Sequence, residues 1–128
     1  MSLQDALDAA LESVPDCKVV GYIDISSGLV LRKAVETPVA QEILDRIASV
    51  ASALWQGTQL PGFVAEQLKL SEPSDGLFLL AAPRQTYLFA QSPKHEEHAI
   101  CFRCGTDIKA AELFKAAKPA IKAISNAF

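Results

Sequence analysis

The stretch HEEHAICFRCGTD, residues 95–107, is the part of the chain richest in side chains that could do chemistry. It sets His95, His98, Cys101 and Cys104 at intervals of three and contains the Cys-x-x-Cys CFRC. Three readings compete: a dithiol redox centre, a zinc site, and a strand that carries buried thiols. A dithiol catalyst places its first Cys at a helix N-terminus, where the helix dipole stabilises the thiolate. Here Gly105, Thr106 and Asp107 follow the pair and read as the cap of the next helix. CFRC therefore falls before that helix, inside an apolar run with strand character. In a strand, residues three apart point to opposite faces, so Cys101 and Cys104 are badly placed to bridge. Zinc needs converging ligands, and the same alternation scatters the four. A partial site built from His95 and His98 in a loop stays open. The plainer reading puts both histidines, beside Glu96 and Glu97, in a solvated loop and makes the cysteines small apolar residues.

No other constellation suggests catalysis. Ser26 and Ser27 sit in a turn without a His/Asp partner set. Asp24 lies within a strand and is expected to hydrogen-bond the approaching turn. Glu96 and Glu97 read as a solvated pair. The chain has no phosphate-binding G-x-x-x-x-G-K-[ST] loop and no G-x-G-x-x-G fingerprint. No catalytic residue, metal ligand or cofactor is assigned, and the protein is expected not to be an enzyme.

The elements that position these residues follow from periodicity. Ser2 to Asp5 forms a capping box, and Leu3, Leu7, Ala10, Leu11 and Val14 recur at helical spacing until Pro15. The runs KVVGYIDI (18–25) and LVLRK (29–33) flank Ser26-Ser27-Gly28, a hairpin signal. Thr37-Pro38 marks a helix start, with the helix running to Trp55 or Gln56. Residues 57–75 read as a connector with a short helix, although Phe63, Leu68 and Leu70 could also line an extra strand. GLFLLAA (76–82), nearly all apolar as in a strand covered on both faces, TYLFAQ (86–91) and HAICFRC (98–104) make three further strands. Thr106 or Asp107 then caps a last helix carrying Ile108, Ala111, Phe114, Ala117, Ile121 and Ile124, which Pro119 should kink or interrupt. The expected fold class is α+β. It has a single five-stranded, mostly antiparallel sheet covered by three helices, in the order α-β-β-α-β-β-β-α. Residues 1–128 are read as a single domain.

Composition narrows the function classes. Half the residues are apolar, 21% are charged and the net charge is −3, a globular balance. No Lys/Arg cluster exists, so nucleic acid is not an expected partner. No apolar run is long enough to span a bilayer, and the acidic N-terminus lacks a signal-peptide pattern. A cytoplasmic protein without membrane insertion is the expectation. Three cysteines do not suggest a disulfide framework.

The helix starting at Pro38 is apolar over an unusually broad arc. Val39, Ile43, Ile47, Val50 and Leu54 form one stripe. Leu44, Ala48, Ala51 and Trp55 form a second, displaced by roughly 100° at 3.6 residues per turn. One core face needs little more than about 100°. Either this helix lies between two layers of its own domain, or it packs on its own sheet and also on a partner chain.

The element order and the segment GYIDISSGLVL resemble the roadblock family of dynein light chains and their bacterial relatives. ALDAALESVPDCKVVGYIDISSGLVL matches the family's opening helix and hairpin. TPVAQEILDRIASVASALW looks like its long central helix, and GLFLLAAPRQTYLFAQ with HAICFRC resembles its closing strands. The link CGTD departs from the Asn-containing link common before the family's last helix, and 57–75 is longer than in many members. The resemblance implies a roadblock/profilin-like layered architecture. It also implies function by association: homodimers or heterodimers whose central helices pack together, with bacterial members linked to small Ras-like GTPases as regulators or scaffolds. On that implication the second stripe, Leu44, Ala48, Ala51 and Trp55, is exposed on one chain and becomes an isologous dimer interface. The expected role is a non-enzymatic dimeric module serving a small GTPase-like protein in signalling. The alternatives are a small-molecule sensor holding its ligand between sheet and helices, and a Cys-x-x-Cys thiol or zinc protein.

Overall fold

The computed structural model describes residues 2–56, 69–71 and 77–128. Helix α1 spans Leu3–Ser13 and opens on the reciprocal capping box. The Ser2 hydroxyl accepts from Asp5 N at 3.1 Å, and the Asp5 carboxylate accepts from Ser2 N at 3.3 Å. Two orphan amides of the first turn are thereby satisfied. Strands β1 (Cys17–Asp24) and β2 (Leu29–Val35) form the expected hairpin. Its turn is built around Asp24, whose carboxylate accepts from Ser26 Oγ at 3.0 Å and Ser27 Oγ at 2.8 Å. These bonds, that from Ser27 foremost, hold the Asp24 carboxyl below its ordinary pKa. Gly28 closes the turn at φ +68, a conformation that costs a residue with a Cβ.

Helix α2 covers Gln41–Gln56. It starts three residues after Pro38, not at it. Glu36 N is still bonded to Lys18 O at 2.9 Å, so 37–40 are needed to carry the chain from the edge of the sheet onto its face. The strands β3 (Lys69–Ser71), β4 (Leu77–Ala81), β5 (Thr86–Gln91) and β6 (His98–Cys104) follow, then helix α3 (Ala110–Ala127). The five strands and three helices expected are present in the expected order, and β3 adds a short strand beyond β4. Leu70 thus lies in an extra strand, while the helix suggested for 57–75 falls largely on residues outside those described.

The sheet order is β2-β1-β6-β5-β4-β3, and every described pairing is antiparallel. Period-two alternation, shifted in β1 by an irregularity between Cys17 and Val19, sorts its side chains into two cores. Cys17, Val20, Tyr22, Leu88, Ile100, Phe102 and Cys104 face α1 and α3, where Leu7, Leu113, Ala117 and Ile124 meet them. Ile23, Ile25, Leu80, Phe89, Ala99 and Cys101 face α2 and pack with Ile47, Ala48, Val50 and Ala51. The strands most fully closed on both faces are the neighbours β1 and β6. In β6 only Arg103 is not buried. The strand GLFLLAA, whose apolar run suggested cover on both faces, is only half-buried as β4, because α2 lies over the β2, β1 and β6 side of the sheet.

Helix α3 starts later than expected and is not interrupted. Lys109 takes the N-cap position without a side-chain cap, so neither Thr106 nor Asp107 fills that role. The helix also continues through Pro119. Pro119 lies on the exposed face, where water can satisfy the carbonyl that loses its partner.

Gly21, in the middle of β1, has no atom of the described residues within 4 Å of where a Cβ would stand, and its φ is not in the left-handed region. Gly21→Ala should therefore stabilise the fold by about 0.4–1 kcal/mol through reduced unfolded-state entropy. Urea denaturation reads this as a raised midpoint at unchanged slope. A lowered midpoint would show that α2 sits more tightly over β1 than this geometry allows.

Candidate functional site

The stretch 95–104 divides as its alternation requires. Cys101 belongs to the α2 core and Cys104 to the α1/α3 core, so CFRC presents its thiols to opposite faces of the sheet. All three cysteines are free and buried. Burial pushes the Cys101 thiol well up. A hydrogen bond shared with Cys104, and then burial, push the Cys17 thiol up. The same bond draws the Cys104 thiol down against its own burial. Cys17 and Cys104 are cross-strand neighbours in the β1–β6 ladder. A reactive dithiol needs an accessible thiolate at neutral pH, and burial opposes that at all three positions.

The histidines are arranged differently from the solvated loop expected of them. His98 is the first residue of β6 and only 8% exposed. Its Nδ1 lies 2.8 Å from the Tyr22 hydroxyl, in a buried hydrogen bond between residues 76 apart in sequence. The reason is topological: β1 and β6 are antiparallel neighbours, so the end of one strand meets the start of the other. Burial pushes the Tyr22 phenol up. Ser92 and Ser125 form a further buried hydrogen bond at 2.8 Å, and Ser125 also accepts from Lys94 N at 3.1 Å. The Phe128 ring stacks on Tyr22 at 5.1 Å between centroids and stands edge-on to His98 at 4.6 Å. His95, half-buried, joins the cluster through a turn closed by His98 N bonding His95 O at 2.9 Å. Sequence reasoning missed Tyr22. The only signal was a tyrosine in β1 on the same face as Val20, which does not identify a partner so far along the chain.

The four residues expected to form an exposed stripe on α2 are also placed differently. Leu44, Ala48 and Ala51 are buried within a single chain, with Leu44 only 2% exposed. Ala48 and Ala51 pack into the α2 core beside Ile47 and Val50. Trp55 is half-buried and meets Phe78 edge to face at 5.2 Å. Part of the second stripe is thus absorbed by the chain's own sheet together with the first. Of the four, Trp55 alone is not buried.

On the same face, α2 and the β4–β5 hairpin border a groove of about 440 Å³. Ile43, Ile47, Val50, Leu80 and Phe89 supply apolar lining, and Arg46, Arg84 and Arg103 supply charge. Arg103 Nε is buried there without a hydrogen-bond partner among the described residues. Burial pushes the phenol of Tyr87, which also lines the groove, up. Apolar residues left exposed elsewhere include Leu29, at 58%, and Leu31, at 42%, on the edge strand β2. No described helix is long and apolar enough to cross a membrane.

Comparison with solved structures identifies the fold. The gliding protein MglB of Thermus thermophilus superposes with a TM-score of 0.65 at 14% identity, covering 98% of this chain and 87% of its own. A Roadblock/LC7 domain from Streptomyces avermitilis gives 0.58 at 15% identity, covering 98% and 97%. LokiProfilin2, solved in complex with rabbit actin, gives 0.70 at 13% identity and covers 100% of both chains. No protein-family model and no curated protein matches the sequence. The chain has the roadblock-like, profilin-like α+β fold.

Two outcomes follow from this geometry. Tyr22→Phe should cost about 1–3 kcal/mol in chemical denaturation, because it strips His98 Nδ1 of its buried partner. A loss near zero would mean that the hydroxyl is not the partner that matters. Mild oxidation of the folded protein should give no Cys101–Cys104 disulfide by peptide mapping, since the two thiols lie on opposite sides of β6.

Proposed function

We propose that the chain is a non-enzymatic interaction module that forms homodimers and regulates or scaffolds a small Ras-like GTPase in signalling. The observation that carries this reading is the likeness to MglB and to a Roadblock/LC7 domain over nearly the whole chain. Fold likeness is an analogy, and it is supported by what the surface offers. Among the described residues β2 is an edge strand, and it carries the exposed Leu29 and Leu31, a surface suited to another sheet edge. Trp55 offers a half-buried aromatic anchor at the end of α2, and Trp is enriched among interface hot spots. Leu44, Ala48 and Ala51 belong to the proposed interface helix but support it from within. The cytoplasm is the compartment where such a partner resides.

A second reading, a small-molecule sensor, is favoured by the groove between α2 and β4–β5. Its volume falls within the range of ligand pockets, and it mixes apolar lining with three arginines. Thermal-shift screening against metabolites separates the two readings, because a ligand that binds only the native state raises Tm.

Sedimentation equilibrium should find a dimer at tens of micromolar. Trp55→Ala should shift it toward monomer with the circular dichroism of the wild type retained. Leu44→Asp should instead unfold the chain, since it puts a carboxylate in the core. A monomeric wild type at that concentration would overturn the dimer. Purified from its native host, the chain should return a small GTPase that also binds it as a purified pair. Repeated recovery of other proteins without a GTPase would sink that part of the reading.

A further inference from the structure

The four residues that spacing singled out do not converge, but the fold gathers a different set. His95, Glu97 and His98 each offer a ligand atom, and these atoms all lie within 4.8 Å of one another. We propose that they bind a zinc-class divalent cation at the β5–β6 turn, with Tyr22 as the positioning residue behind His98. The site does not depend on the partner reading above.

His98 is the fixed ligand. It is buried, its ring is edge-on to both Tyr22 at 5.0 Å and Phe128, and its Nδ1 is engaged by the Tyr22 hydroxyl at 2.8 Å. Nε2 is then the nitrogen left to coordinate. A metal-bound histidine characteristically has its other ring nitrogen held by a hydrogen-bonding partner, which sets tautomer and orientation. His95 and Glu97 are the adjustable ligands. They lie 4.0 Å apart, Nδ1 to Oε1, and both are partly exposed. Ligands at about 2.0–2.1 Å from a tetrahedral zinc stand roughly 3.3–3.4 Å from each other. Rotation of two surface side chains covers the remaining distance. The backbone already holds the loop, through His98 N to His95 O and Ile25 N to Glu97 O, each at 2.9 Å.

The ligand chemistry selects the metal class. Two imidazoles and one carboxylate suit zinc and its first-row neighbours, whereas magnesium and calcium demand shells of oxygen. Three protein ligands leave one position for water or for a group from a partner. The cysteines take no part. Cys101 faces the opposite side of the sheet, and Cys104 is six residues along β6, roughly 20 Å at about 3.3 Å per residue.

The test is calorimetric titration of metal-stripped full-length chain with zinc chloride, paired with cobalt(II) substitution. One zinc per chain is expected, with visible cobalt d–d bands and no thiolate charge-transfer band. His95→Asn and Glu97→Gln, both at partly exposed positions, should each weaken zinc binding by about tenfold or more. Tyr22→Phe should weaken it by about 10–100-fold without removing a ligand. The proposal is overturned by a wild type without saturable zinc binding. It is equally overturned by affinity unchanged in both His95→Asn and Glu97→Gln, or by a cobalt spectrum showing thiolate ligation.

Discussion

The antiparallel pairing of β1 with β6 is the constraint on which the rest of the molecule depends. It places two strongly apolar strands side by side at the centre of the sheet, each closed on both faces. Strict alternation then leaves no freedom of assignment. Ile100, Phe102 and Cys104 must enter the core beneath α1 and α3, and Ala99 and Cys101 the core beneath α2. A one-residue slip would exchange the two sets, which the volumes facing them would not accept. The same pairing sets Tyr22 beside His98.

This register explains why the chemistry-bearing residues end up where they do. The thiols are drawn into two separate apolar environments, where burial works against the thiolate. The histidines sit at the entry to β6, where the β5–β6 turn folds back toward the end of β1. A buried polar cluster forms there because strand ends are where the apolar sheet gives way to solvent. It remains compatible with burial because its members satisfy one another: Tyr22 with His98, and Ser92 with Ser125.

The central helix shows how one apolar pattern can fit two different surfaces. Its apolar arc is broader than a flat contact requires, and two explanations fit: a second layer of the same chain, or a partner. The structure buries Leu44, Ala48 and Ala51 within one chain, and Ala48 and Ala51 pack against the chain's own sheet. Among the described residues, Leu29 and Leu31 on the edge strand β2 stay exposed and Trp55 at the end of α2 stays half-buried.

Local signals carried most of the fold. The capping box at Ser2, the hairpin turn around Asp24 and Gly28, the order of elements and the opposite orientation of Cys101 and Cys104 were all legible in the sequence. Each depends on backbone geometry over a few residues, where period and turn chemistry act directly. Helix boundaries at Gln41 and Ala110 were not, because they depend on how far the chain must travel from the sheet edge to its face. Nor was the gathering of His95, Glu97, His98 and Tyr22. That required β1 and β6, with Tyr22 and His98 lying 76 residues apart, to be paired in one register. No local pattern in either segment encodes which strand will lie beside it. Residue order thus specified most of the elements and the face each strand side chain takes. Which elements meet was settled only in three dimensions, because the joint packing of the two cores makes that choice.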